Sequence, residues 1–292
     1  MPAEIIDGKK IAFEIQLELK QRIARLQEKG ITPKLVTVMV GDDPASVSYL
    51  RGITKTANEV GVSTEIAKLS TEVVQNQLLE KIRELNKDNK VHGILLFLPL
   101  PKHLNSLEAE SSISPSKDVD GTNPISTGRL LLGEETFFPS TPYGVQELLI
   151  RSGHSPEGKH VVIVGRSNIV GKPLIGILIQ KARGANATVT VCHTGTPDIA
   201  AITRQADILV AAIGKAKAIT ANMVRDGAVV IDVGVNFIQD PITGKNRQVG
   251  DVDFDSVKEK ASVITPVPGG TGAMTSVMLM VNTVRAAEKL GL

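Results

Sequence analysis

The sequence predicts an α/β chain of two domains, an N-terminal layer of alternating strands and helices followed by a Rossmann-like dinucleotide-binding domain. Three observations carry this. Residues 161–173 read VVIVGRSNIVGKP: four β-branched residues stop at Gly165, a polar turn follows, and a second glycine, Gly171, precedes the apolar run Leu174–Gln180. A buried strand, a glycine turn and a helix start form the entry to a nucleotide-binding βαβ unit, whose helix N-terminus offers free N–H groups and a positive dipole end to a phosphate. Strand-like and helix-like stretches alternate through the first 120 residues, the pattern of a parallel sheet. At 292 residues the chain has room for two ordinary domains.

The elements follow in order. Glu4–Asp7 is short and suits an edge strand. From Lys9 to Gly30 the apolar residues Ile11, Ile15, Leu17, Leu19, Ile23 and Leu26 recur at near-helical spacing, and Gly30 ends the run. Lys34–Val40 is a buried-strand pattern that stops at Gly41. Asp42-Asp43-Pro44 is a turn, and Ser46–Val60 a helix closed by Gly61. Ser63–Leu69 is strand-like. Val73–Leu85 is a helix with Leu78, Leu79, Ile82 and Leu85 inward, and Gly93–Leu98 a continuous apolar strand of the kind covered on both faces.

Pro99–Pro142 is rich in turn residues and reads as the inter-domain connection with functional loops. Thr141-Pro142 starts a helix, Tyr143–Arg151. Five strands follow, Lys159–Val164, Ala187–His193, Asp207–Ile213, Ala228–Val233 and Val263–Pro266, with helices between most of them. In Asn236–Asp251, Asp240-Pro241 and Gly244-Lys245 suggest a hairpin. Gly272–Lys289 is a final amphipathic helix, expected to return to the first domain.

Composition narrows the function. A hydrophobic fraction of 42% and a charged fraction of 22% are those of a soluble globular protein. A net charge of +2 gives no reason to expect nucleic acid or an anionic membrane, and aromatics at 3% argue against stacking on single-stranded bases. No apolar run reaches membrane length, and no secretory leader is visible. The one cysteine, Cys192, suits a reducing cytosol and reads as a buried, inert thiol. The five histidines are scattered without metal-ligand spacing, so no metal site is expected.

The glycine turn misses two better-known motifs. The dinucleotide fingerprint requires glycine where Ser167 stands, and for a P-loop Gly165 and Gly171 are one residue too far apart. An ordinary strand-to-helix turn would look much the same, but Arg166 and Ser167 suit a phosphate. After the second strand of a dinucleotide fold, an acid selects an unphosphorylated ribose. Here that loop is His193-Thr194-Gly195-Thr196, without an acid, and Arg166 can approach the same corner. NADP is thereby favoured over NAD.

The chain resembles, from end to end, the bifunctional methylenetetrahydrofolate dehydrogenase/cyclohydrolases of one-carbon metabolism. The match is carried by Pro44-Ala45-Ser46 with Tyr49, Leu98-Pro99-Leu100-Pro101, Lys117-Asp118-Val119-Asp120-Gly121 and Thr141-Pro142. It continues through Val164-Gly165-Arg166-Ser167, Ile231-Asp232-Val233-Gly234-Val235-Asn236 and Gly250-Asp251-Val252 to Thr265-Pro266-Val267-Pro268-Gly269-Gly270. The resemblance implies a three-layer α/β catalytic domain over residues 1–140, completed by the helix 272–292, and an NAD(P)-binding Rossmann-like domain over 141–271, with folate in the cleft between them. It also implies a cytoplasmic homodimer built through the nucleotide domains. Tyr49 and Asp120 would act at the folate, which Pro268, Gly269 and Gly270 would help line. Gly165, Arg166, Ser167, Thr194 and Val235 would hold NADP. NAD stays open, because Gly195 stands where a basic residue is usual.

The departures lie in the chemistry. The family pattern has a lysine four residues after the tyrosine and a glutamine before Leu-Pro-Leu-Pro; here those places hold Ile53 and Phe97. Lys55 lies roughly 240° around the helix from Tyr49 and points elsewhere. Thr271 and Ala273 replace a usual valine and proline, and Ser140 a usual cysteine. Exchanging the lysine and glutamine together avoids leaving either polar group buried without a partner. The expectation is an NADP-dependent dehydrogenase with weak or absent cyclohydrolase activity. The alternatives are a fully bifunctional enzyme and a non-catalytic folate- or nucleotide-binding homologue.

Overall fold

The computed structural model describes residues 2–42, 44–239, 244 and 246–290. The chain divides into two compact units, one of Met1–Ala12 with Thr141–Thr275 and the other of Phe13–Ser140 with Ser276–Leu292. Its first elements are β1 (Glu4–Ile5), α1 (Gly8–Glu28), β2 (Lys34–Val40), α2 (Pro44–Val60), β3 (Ser63–Leu69), α3 (Gln75–Lys87) and β4 (Gly93–Leu96). Strands β2, β3 and β4 form a parallel sheet in the order β3-β2-β4. On one face Val36, Val38, Ile94 and Leu96 form a core with Leu78, Leu79, Ile82 and Leu85 of α3, the four positions the helical spacing picked out. The pleat sends Leu35, Thr37, Met39 and Leu95 to the other face, and all are buried.

The turn-rich stretch after β4 differs from the expected irregular connection, because it contains α4 (Ser106–Ser112) and α5 (Pro124–Leu132). Both have N-caps: Asn105 accepts from the Glu108 N–H, and Asn123 from the Ile125 N–H with Pro124 next in line. Helix α6 (Ser140–Arg151) begins three residues earlier than the Tyr143 start read from sequence. β4 ends at Leu96 rather than Leu98.

The six-stranded unit contains β5 (His160–Val164), α7 (Gly171–Leu178), β6 (Thr188–Cys192), α8 (Ile199–Thr203), β7 (Ile208–Ala211), β8 (Val229–Asp232), β9 (Asn236–Gln239), β10 (Asn246–Val249), α9 (Phe254–Val257) and β11 (Val263–Ile264). Helix α10 (Gly272–Leu290) closes the chain. The large sheet runs β1-β11-β8-β7-β5-β6, all parallel, with β1 at one edge. Strand β5, which opens the β5–α7–β6 unit, lies between β6 and β7, so the chain continues from β5 to opposite sides of it. That switch point is where open α/β sheets bind ligands, outside the carboxyl ends of the strands. β9 and β10 pair as an antiparallel hairpin. Its turn residues Asp240, Pro241 and Lys245 lie outside the described residues, as does Asp43 of the turn before α2. Cys192 is buried in the sheet core.

Candidate active site

In the three-stranded unit, Tyr49 and Ile53 sit one turn apart on α2, so they share a face. Ile53 is fully buried, whereas Tyr49 keeps 36% of its surface exposed. Phe97 follows β4 and remains tied to the sheet through its N–H to Val38 O at 2.9 Å. Its ring meets that of Tyr49 edge-on, with centroids 5.7 Å apart and planes at 62°. The contact places α2 over the second face of the sheet. Lys55 points away: its side chain is 79% exposed and lies 3.9 Å from Glu59.

Asp120 ends a loop held by its own polar atoms. The buried Lys117 donates to the carbonyls of Leu85 and Asp88 at 3.0 and 2.7 Å, and burial pushes its pKa down. Asp118 accepts the N–H groups of Thr122 and Asn123 at 3.1 and 3.0 Å. Gly121 has φ +62°, and a Cβ there would press on the Phe137 carbonyl and on Pro139. This close approach brings Ser140 to Asp120. The Ser140 hydroxyl donates to Asp120 Oδ1 at 2.6 Å and its N–H donates to the same oxygen at 3.2 Å. Burial pushes Asp120 up to about 6; the Ser140 bonds oppose the rise, and the neighbouring Asp118 carboxylate adds to it. Burial, then the Asp120 charge, push the Tyr49 hydroxyl well above its ordinary range. The outcome is a phenol that stays protonated and a carboxyl poised near neutrality.

In the six-stranded unit, β5 is followed at once by Gly165, whose φ is +132° and where a Cβ would overlap the Ala212 carbonyl. Gly171 is equally crowded, against Gly165 and Arg166. The Ser167 hydroxyl accepts the N–H groups of Val170 and Gly171 at 3.1 and 3.4 Å, capping the turn into α7, and Arg166 is exposed beside it. After β6, Thr194 is exposed in a tight loop in which His193 Nδ1 accepts the Gly195 N–H. Val235, 54% exposed, follows β8. Thus Gly165, Arg166, Ser167, Thr194 and Val235 all lie at carboxyl ends of β5, β6 and β8. Pro268, Gly269 and Gly270 form a bend in which Gly269 has φ +112° and the Gly270 N–H returns to Pro266 O at 2.9 Å.

Beneath these loops lie two buried carboxylates to which residue order alone assigns no role. The Asp232 carboxylate accepts the N–H groups of Gly234, Asp251 and Val252 at 2.9, 3.0 and 2.9 Å. Asp251, fully buried, accepts those of Ile213, Gly214 and Lys215 at 2.5–2.9 Å and Asn236 Nδ2 at 2.9 Å. Together they bind the loop after β7 to the turn that carries Val235. Thr271 donates to Asp232 O at 2.7 Å. Nothing local in the sequence marks Ser140 as the partner of Asp120. Among the described residues no three His, Cys, Asp or Glu side chains gather as a metal set, and no helix is long and apolar enough to cross a membrane.

Residues 6–120 match the catalytic domain of the tetrahydrofolate dehydrogenase/cyclohydrolase family, and residues 139–290 its NAD(P)-binding domain. The chain is 54% identical to the bifunctional protein FolD of Syntrophus aciditrophicus over 288 residues, covering 99% of this chain and 98% of that one. It is 55% identical to that of Dehalococcoides mccartyi strain CBDB1 over 290 residues, with the same coverage. Among solved structures, the bifunctional FolD enzyme of Campylobacter jejuni superposes with a TM-score of 0.93 at 44% identity, covering 98% of this chain and 99% of that one. The Trypanosoma brucei enzyme complexed with NADP cofactor and an inhibitor gives 0.91 at 38%, covering 99% and 98%.

Proposed function

The chain belongs to the tetrahydrofolate dehydrogenase/cyclohydrolase family, and from that premise we propose that it is an NADP-dependent methylenetetrahydrofolate dehydrogenase with weak or absent cyclohydrolase activity. The observation that carries the finer part is Ile53. It is fully buried one turn from Tyr49, with Phe97 against the tyrosine ring, where the family resemblance calls for an amine and an amide.

The two reactions ask different things of a protein. In the oxidation the folate nitrogen lone pair expels a hydride from the methylene bridge, leaving the methenyl cation, and the protein's task is alignment. NADP⁺ supplies the hydride acceptor when bound. The chain's own contribution is the cradle: glycines at 165 and 171 where a Cβ would collide with backbone, an exposed Arg166, and a ribose loop at Thr194 without an acid. In the hydrolysis, water adds to the methenyl carbon and the ring opens, which requires proton transfers worth roughly 10²–10⁴-fold when a side chain supplies them. Ile53 neither accepts nor donates a proton. Tyr49 is held protonated and serves as a donor and an aromatic wall.

Asp120 favours a second reading, a fully bifunctional enzyme. A carboxyl near 6 exchanges protons at neutral pH, and with Tyr49 it can orient a water. One assay separates the two. Methylenetetrahydrofolate is mixed with NADP⁺ or NAD⁺, and NADPH or NADH formation is followed beside the build-up and decay of methenyltetrahydrofolate. The expected result is rapid NADPH formation with methenyl product decaying at the solvent rate. Decay well above that rate, with a rise in activity centred near pH 6, supports the bifunctional reading. Folate binding without turnover supports a non-catalytic homologue. We place the protein in the cytoplasm as a homodimer built through the nucleotide-binding domains. The family resemblance supports this, and the open edge at β6 offers unpaired backbone groups.

A further inference from the structure

Helix α10 is apolar along its buried side, with Met278, Leu279, Met280, Val284, Ala286 and Ala287 all enclosed. Asn282 interrupts it and is itself fully buried. Its Nδ2 donates to the carbonyls of Val119 and Phe138, both at 2.8 Å. Both partners are acceptors, so the amide can point only one way. Its Oδ1 has no partner among the described residues. A core built for stability alone would have an aliphatic residue here, and local departures of this kind concentrate where function needs a fixed geometry.

The two carbonyls are not arbitrary. Val119 O belongs to the peptide that joins Val119 to Asp120, and Phe138 lies two residues before Ser140. One side-chain amide therefore spans the two backbone segments whose side chains meet in the 2.6 Å hydrogen bond. Gly121 reports the same junction from the opposite direction, because only a residue without a Cβ lets its backbone sit against Phe137 O and Pro139.

We propose that Asn282 is a positioning residue: by holding the Val119 and Phe138 carbonyls together it sets the register in which Ser140 donates to Asp120. The inference rests on the reading of Asp120 as a folate-site group, but its mechanism is present in the ligand-free chain. Asp120 is faced by the Tyr49 hydroxyl from α2, the Asp118 carboxylate from its own loop, Glu110 from α4 and Ser140 from the start of α6. Among these, Ser140 is the group that lowers the Asp120 pKa. Loosening the register weakens that donor and leaves burial and the neighbouring acids to raise the carboxyl.

The test follows the Asp120 titration midpoint by carboxyl-¹³C NMR in full-length, ligand-free protein, assigned with D120N. N282A is compared with S140A, which removes the hydroxyl donor directly, and with L279A, which opens a cavity in the same helix without touching either carbonyl. The expected result is that N282A raises the midpoint in the same direction as S140A, by roughly half a pH unit or more, while L279A leaves it in place. The dehydrogenase KM for folate should rise in N282A more than kcat falls. An unchanged midpoint in N282A, or one that L279A moves equally, overturns the proposal. If N282A does not fold, N282S, which can donate to only one carbonyl, reads the same midpoint and decides by the same criterion. If the midpoint moves as expected in a protein without dehydrogenase activity, the functional reading fails and the positioning role stands.

Discussion

At the carboxyl end of β8 the buried Asp232 and Asp251 side chains take up backbone N–H groups from three loop segments. At the comparable working end of the three-stranded unit, the buried positions beside Tyr49 are Ile53 and Phe97. The contrast teaches how the two tasks differ. A nucleotide cradle is backbone held in place, and its determinants are glycines and the polar groups that fix them. A hydrolytic site is a set of ionisable side chains, and its determinants are those side chains rather than the backbone that carries them.

Three changes probe that contrast. The largest effect is expected from Gly165→Ala, which combines a φ of +132° with overlap on the Ala212 carbonyl. It should destabilise the six-stranded unit by roughly 4 kcal/mol or more. NADPH affinity should fall by over about 10²-fold in a fluorescence titration. A G165A protein that binds NADPH normally would break the claim that this turn is the cradle.

Next comes Ile53→Lys. Placing a charge at a fully buried position without its amide neighbour should cost roughly 3 kcal/mol in urea unfolding. The double variant I53K/F97Q should regain part of that stability and raise methenyltetrahydrofolate hydrolysis by about 10²-fold, with the KM for NADP unchanged. If the single and double variants hydrolyse equally, the two positions are not coupled.

The smallest effect concerns pH. Burial raises a carboxyl from 3.8 to about 6 in each unit, Asp120 in one and Asp232 in the other, and also raises Asp118 and Glu110 near Asp120. Between those values the folded chain keeps a proton that the unfolded chain has released, so stability falls as pH rises from about 4 to 6 and stays lowered above it. The shift for Asp120 corresponds to about 3 kcal/mol at most, less where water reaches the site. Asp120→Asn keeps an acceptor for Ser140 and removes that loss. It should be about 2 kcal/mol more stable relative to wild type at pH 7 than at pH 4, with the Asp232 share of the slope intact. An unchanged slope would show that Asp120 ionises normally.

Much of this molecule was legible from residue order alone, because its causes are local. Period-2 apolar runs, helical spacing and terminating glycines located β2, β3 and α3 and marked the turn at Gly165. The N-caps Asn105 and Asn123-Pro124 were equally local signals for α4 and α5, hidden in a stretch whose prolines dominated the reading. Ile53 and Phe97 stand out in residue order as apolar residues where the resemblance implies a lysine and a glutamine. Tertiary structure alone decided which polar atoms meet: Ser140 with Asp120 across 20 residues, and Asn282 with Val119 across 163. Sequence spacing carries no trace of such pairs. A buried donor is satisfied by whichever acceptor the packed backbone brings within 3 Å, and that choice is made only when the distant segments are already in place.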